Sequence, residues 1–188
     1  MTNQATDDHI QDTHISEVKP WISVKTKCEI SSKPHYIQGG HLLFEVTAER
    51  ENKKYKMNAA AYEPTKGFRK IVEKLIKGDK VELWGGIRKD PLTLNIEKVK
   101  ILKLEDRVVK VGNPLCPECG TSMSSIGKNA GYRCKKCSTK ADESEVREKK
   151  VERELTKGWY ETPVSARRHL SKPLSRDNTS RSISRRSA

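Results

Sequence analysis

Cys116, Cys119, Cys134 and Cys137 are spaced C-x2-C-x14-C-x2-C. Two residues between cysteines let a tight knuckle of backbone turn both sulfurs toward one ion, and two knuckles supply the four thiolates that tetrahedral zinc takes in structural sites. The chemistry on offer is holding rather than turnover. With four protein sulfurs the ion keeps no open coordination position, so the predicted cofactor is one structural Zn2+. A pair of disulfides is the competing use of these residues. The chain opens MTNQATDDHI, with no apolar run to act as a secretion signal, and the expected compartment is the cytoplasm. A redox-active pair needs one C-x-x-C in a βαβ setting, whereas here two matched pairs flank a short Gly-containing stretch. Cys28 stands alone in a strand-like segment and reads as a small buried hydrophobe.

The second group of interest is cationic. Lys plus Arg exceed Asp plus Glu by 38 to 25, a formal net charge of +13, which points to polyanions such as nucleic acid or an acidic membrane surface. No stretch approaches the length of a membrane span. Residues 107–140 hold Arg107, Lys110, Lys128, Arg133, Lys135, Lys136 and Lys140 against one acid, Glu118. Phosphate contacts need guanidinium or ammonium groups, and stacking needs a ring or an Arg plane beside them. On that basis Lys128, Tyr132, Arg133, Lys135 and Lys136 are the expected contact group around the zinc site. Lys66, Arg69 and Arg88 are the candidates upstream, with His41 and Tyr62 beside them, and Arg167 and Arg168 downstream. A solvated charged face is the alternative for any single lysine.

These side chains need a scaffold, and residues 17–106 supply one. EVKPWISVKTKCEI, HLLFEVTAER, YKMNAAAY, VELWGGIRK and TLNIEKVKILKLE read as five strands, with ENKK as a turn between the second and third. A helix is predicted between the third and fourth. Thr65 is its expected N-cap, Phe68, Ile71, Val72, Leu75 and Ile76 form its apolar face, and Gly78 stops it. That layout is mainly β and matches a five-stranded OB-fold barrel, with a generic α+β domain as the competing architecture. Gly85–Gly86 inside a strand signals a bulge or a close backbone approach, for which barrel curvature is the simpler use.

The remaining boundaries follow composition. Residues 1–16 are acidic and polar, and are expected to be a disordered leader before the 17–106 barrel. A zinc ribbon is expected over 107–140. Residues 141–174 are expected to be a solvent-exposed charged helix over 141–157 followed by a docking segment, WYETPVSARRHL. A disordered Ser/Arg tail is expected over 175–188, adding electrostatic affinity without sequence choice.

Several phrases, in order, carry a resemblance: GGHLLFEV, AAYEPTKGFRKIVEKLIKGDKVELWGGI, LNIEKVKI, NPLCPECGTSMSSIGKNAGYRCKKC and WYETPVSARRHLSKPL. From about Trp21 to Leu174 the chain resembles the carboxy-terminal part of the archaeal tRNA-isoleucine agmatinylcytidine synthetase family. The resemblance implies an OB-fold followed by a zinc ribbon, both helping to grip RNA, and tRNA first of all. The family's ATP-using kinase-like and ferredoxin-like domains have no counterpart in these residues. There is no G-x-x-x-x-G-K-[ST] loop and no nucleophile paired with a base. The expected function is therefore non-catalytic nucleic-acid binding. The alternatives are an accessory role beside a separate catalytic subunit, or single-stranded DNA binding. Oligomeric state is not legible.

Overall fold

The computed structural model describes residues 7–168 and 171–176. Contacts divide the chain into two units, one formed by Met1–Glu105 with Glu154–Ala188 and one by Asp106–Arg153.

The first unit is a barrel. Its strands in chain order are β1 (Ile10–Asp12), β2 (Ser23–Ile30), β3 (His35–Ile37), β4 (His41–Arg50), β5 (Lys53–Ala61), β6 (Lys80–Arg88) and β7 (Thr93–Lys103). The helix α1 (Gly67–Glu73) lies between β5 and β6. Strand order β2–β6–β7–β5–β4 returns to β2 through Glu29↔Thr47 and Ile30↔Val46, so five strands close on themselves. The β5–β7 pair is parallel and the other four are antiparallel, which gives the OB-fold expected from the pattern. Alternation decides what fills it. Val24, Cys28 and Ile30 of β2 face Phe44, Val81, Leu83, Leu94 and Ile96 in one core, which Phe68, Val72 and Leu75 close from the helix side. Glu51 and Asn52 both take positive φ between β4 and β5, the backbone that a tight two-residue hairpin requires.

Gly85 sits where the β6–β7 register shifts, and a Cβ there would lie 1.9 Å from the Asn95 carbonyl oxygen. Close approach and curvature are the same event here, because the bulge brings the β7 backbone against β6.

Three expectations change. The helix does not start on a Thr65 cap. Thr65 is buried, its hydroxyl donates to the Tyr62 carbonyl at 2.7 Å, and Lys66 turns the chain into α1 at φ 41°. The leader is structured from Asp7 onward. β1 pairs in parallel with β2, Ile15 joins the core, and the Asp7 carboxylate meets the buried Lys98 ammonium. Finally, the sequence around 141–157 forms no helix. A 3-10 turn at Glu143–Glu145 leads into a strand, Arg147–Val151, in the second unit.

That second unit contains β8 (Arg107–Gly112), β9 (Ser124–Ser125), β10 (Tyr132–Arg133), β11 (Lys140–Ala141) and β12 (Arg147–Val151). β12 pairs antiparallel with β8, and β10 lies between β9 and β11. β8 has unpaired backbone groups that a strand can satisfy and a separate helix cannot. The REKKV side chains all stay exposed in the strand, so no apolar face favours helix there.

β13 (Gly158–Glu161) then adds to β7 with Tyr160 opposite Val99. The docking segment thus extends the sheet along the free edge of β7, and Glu97 and Lys98, buried where the β7 pattern changes phase, take Arg168 and Asp7 as partners. Of that segment, His169 lies outside the described residues, as do residues 177–188 of the expected tail. Among the described residues no helix is long and apolar enough to cross a membrane.

Candidate metal centre and nucleic-acid interface

The metal centre is built from two copies of one turn. In the first knuckle Cys116 N–H donates to the Thr121 carbonyl and Gly120 N–H to the Cys116 carbonyl, both at 2.9 Å. In the second, Cys134 N–H donates to Thr139 at 2.9 Å and Ser138 N–H to Cys134 at 3.1 Å. Gly120 and Ser138 occupy matching left-handed positions, at φ 66° and 60°. The backbone N–H groups of Lys136 and Cys137 donate to Cys134 Sγ at 3.4 and 3.5 Å.

All four ligand sulfurs lie within 4.8 Å of one another, and Cys119 and Cys134 are 3.5 Å apart. Zn–S bonds of ~2.3 Å in a tetrahedron imply sulfurs ~3.8 Å apart, so the cluster fits zinc. All five cysteines are free, which removes the disulfide alternative. Hydrogen bonding from Thr121 lowers Cys119 to about 6. The Cys137 thiol, hydrogen-bonded to Cys119 and beside the other cysteines, is pushed up to about 12. A divalent ion resolves this uneven titration by binding four thiolates at once. The surrounding core is small, with Met123, Tyr132 and Ala141 beside the cysteines, so the ion supplies cohesion that apolar burial here is too limited to give. The zinc is structural.

The cations divide by whether the fold already uses them. In the ribbon Lys128, Arg133, Lys135, Lys136 and Lys140 are exposed. Register places Arg133 directly opposite Lys140, while Tyr132 and Ala141 point to the other face. Like charges opposite one another cost stability in an antiparallel pair. Lys140 was not among the contact residues picked from sequence; only the register reveals it. Tyr132 corrects the expectation in the other direction. It is 8% exposed and its hydroxyl accepts from Lys110 at 2.7 Å, so its ring fills the small core and offers no stacking face.

In the barrel, Arg69 is turned inward. It donates to the Gly40 carbonyl and pairs with Glu63 at 3.4 Å. Arg167 pairs with Glu161 at 2.8 Å, and Arg168 with buried Glu97. These three brace loops. Lys66 is exposed. Arg88 donates to the Tyr62 hydroxyl at 2.7 Å with its guanidinium 5.6 Å from the ring centroid, and His41 meets that ring edge-on at 5.0 Å. Tyr36, in the short strand β3, is 48% exposed beside Ile37, and its hydroxyl donates to Glu73 at 3.0 Å. Sequence reading missed Tyr36, whose only signal was an aromatic in the connection between the first two barrel strands, a region OB-folds use for ligands.

Residues 113–155 match the TiaS C-terminal zinc ribbon domain. TiaS of Archaeoglobus fulgidus, a 2-agmatinylcytidine synthetase for an isoleucine tRNA, is 47% identical over 179 residues, 95% of this chain and 40% of that protein. The chain is a homologue of about 40% of TiaS, a stretch that includes its C-terminal zinc ribbon. The TiaS of Methanocaldococcus jannaschii is 44% identical over 92% of the chain, again 40% of its own length. The crystal structure of TiaS in complex with its isoleucine tRNA and ATP superposes with a TM-score of 0.73 at 43% identity, covering 97% of this chain and 41% of that one. The structure of apo TiaS gives 0.63 at 45% identity, with 94% and 40% covered. The chain therefore spans about 40% of the length of the TiaS relatives it matches, all of them tRNA-modifying synthetases by name.

Proposed function

We propose that this chain is a cytoplasmic, non-catalytic RNA-binding module that grips tRNA, with its zinc ribbon as one contact surface and the loop end of its barrel as another. The observation that carries this reading is the Arg133–Lys140 pair, opposed across a strand pair and followed by Lys135 and Lys136 on the metal-held knuckle. A protein has little reason to place like charges so close unless a polyanion neutralises them. The likeness to a TiaS bound to an isoleucine tRNA supports tRNA as that polyanion. In the barrel, Lys66 and Arg88 with His41 and Tyr62 are the groups proposed to meet RNA, joined by Tyr36.

The test is salt dependence. Affinity for tRNA should fall steeply with salt, and replacing Arg133, Lys135 and Lys136 together with alanine should flatten the slope of log K against log[salt] by about two to three, since each phosphate contact contributes roughly 0.7–0.9. An unchanged slope and affinity would remove the ribbon from the interface.

A second reading, resting on the likeness to a 2-agmatinylcytidine synthetase, is an accessory component of such an enzyme whose catalytic part is another polypeptide. Mixing the chain with such a polypeptide should then restore agmatine transfer that neither shows alone. A catalytic part equally active without this chain would leave the free-standing module as the answer. Single-stranded DNA competing as well as tRNA would redirect the substrate class.

A further inference from the structure

β13 pairs with the edge of β7 as far as Glu161 opposite Lys98, Thr162 N–H adds a bond to the Glu97 carbonyl at 2.9 Å, and the chain turns away at Pro163. β5 pairs with the same edge at Thr93–Asn95, so the gap between the two partner strands falls at Ile96–Glu97. There the barrel holds a recess of about 160 Å³, lined by Tyr62, Pro64, Asn95, Glu97, Thr162 and Arg168 among others. Asn95 and Glu97 flank Ile96 at the β6–β7 bulge, and both line the recess.

Size and charge narrow what this recess can hold. Clefts for whole drug-sized ligands run to ~300–1,000 Å³, so this one suits a single ring system. Its charges are already balanced, because the Glu97 carboxylate, 5% exposed, is bound by Arg168. A phosphate gains little from such a neutral pair, whereas a neutral heterocycle gains hydrogen bonds. The Asn95 amide offers one donor and one acceptor side, the set that pairs bidentately with N6 and N7 of adenine. Glu97 adds an acceptor for an exocyclic amine. Tyr62 supplies an aromatic wall, and Arg88, bonded to its hydroxyl, places a guanidinium beside the entrance for a backbone phosphate.

We infer that this recess receives one unpaired nucleobase bearing an exocyclic amine, adenine first, splayed out of a strand that passes over Tyr62 and Arg88. The inference rests on the nucleic-acid reading above and names a subsite within it. Unpaired bases are the part of RNA that proteins read by stacking and by their hydrogen-bonding edges.

The test measures binding of the full chain to three short oligonucleotides of equal length and charge, one of adenosines, one of uridines and one abasic, with tRNA as the reference. The adenosine strand should bind about tenfold tighter than the abasic one and several-fold tighter than the uridine strand. Asn95→Ala should erase the adenosine advantage and change abasic affinity less than about twofold. Glu97→Gln, which keeps the shape, should reduce the advantage in part. Binding to tRNA with no discrimination among the three oligonucleotides would overturn the recess alone. Loss of all binding by the wild-type chain, tRNA included, would overturn the nucleic-acid reading itself.

Discussion

A single cysteine carries the ribbon, because the second unit has few buried apolar side chains to fall back on. Cys116→Ser or Cys134→Ser removes one of four thiolates from a site whose metal-binding energy is also folding energy. The variant should lose the one equivalent of zinc expected of the wild type, as elemental analysis would show, and the ribbon should unfold. The barrel should not. Trp21, Trp84 and Trp159 all belong to the barrel unit, with Trp84 and Trp159 in edge contact at 5.4 Å. Tryptophan fluorescence therefore reports on the barrel alone and should be unchanged. A coincident loss of both signals would show that the two units fold as one.

At the level of elements, the decisive contact is β6 against β7. Gly85 lets the β7 carbonyl at Asn95 approach to a distance no side chain tolerates, and the obstruction is backbone rather than a movable side-chain end. Gly85→Ala should destabilise the barrel by about 1–3 kcal/mol or more, the usual cost of overpacking. Gly86→Ala meets only the Arg168 guanidinium at 3.4 Å, and should cost much less because that side chain can shift. Urea denaturation followed by fluorescence compares the two. Equal costs would mean that the bulge does not carry the curvature assigned to it.

The whole barrel unit is fastened by a tie between distant parts of the chain. Asp7 accepts from the Lys98 ammonium through one oxygen and from Lys172 N–H at 2.8 Å through the other. The Lys98 side chain is 4% exposed and its ammonium also lies 5.1 Å from the Trp84 ring centroid. Asp7→Ala leaves that charge buried without its carboxylate, which should cost about 3–5 kcal/mol. The loss should appear in barrel unfolding, with zinc content unaffected. A variant within about 0.5 kcal/mol of wild type, on the order expected for a surface change, would show that the Trp84 ring and water suffice for Lys98.

Local pattern determined much of this protein. Cysteine spacing specified the metal and its closed coordination, since two-residue knuckles leave the sulfurs few other arrangements. Strand alternation and one helical stripe specified five strands and a helix, because burial periodicity is a property of adjacent residues. Tertiary structure decided what depends on residues far apart. It drew Asp7 and the leader into the barrel, gave Arg147–Val151 a strand partner in β8, and buried Glu97 and Lys98 where β13 joins the edge of β7. It also sorted the cations. Arg69, Arg167 and Arg168 are charged in the sequence just as Arg133 and Lys136 are, but the folded loops turn Arg69 and Arg167 onto Glu63 and Glu161, and Arg168 meets Glu97 from a distant part of the chain. Charge is written in the sequence; whether a charge is already spent depends on which carboxylate the folded chain brings to it.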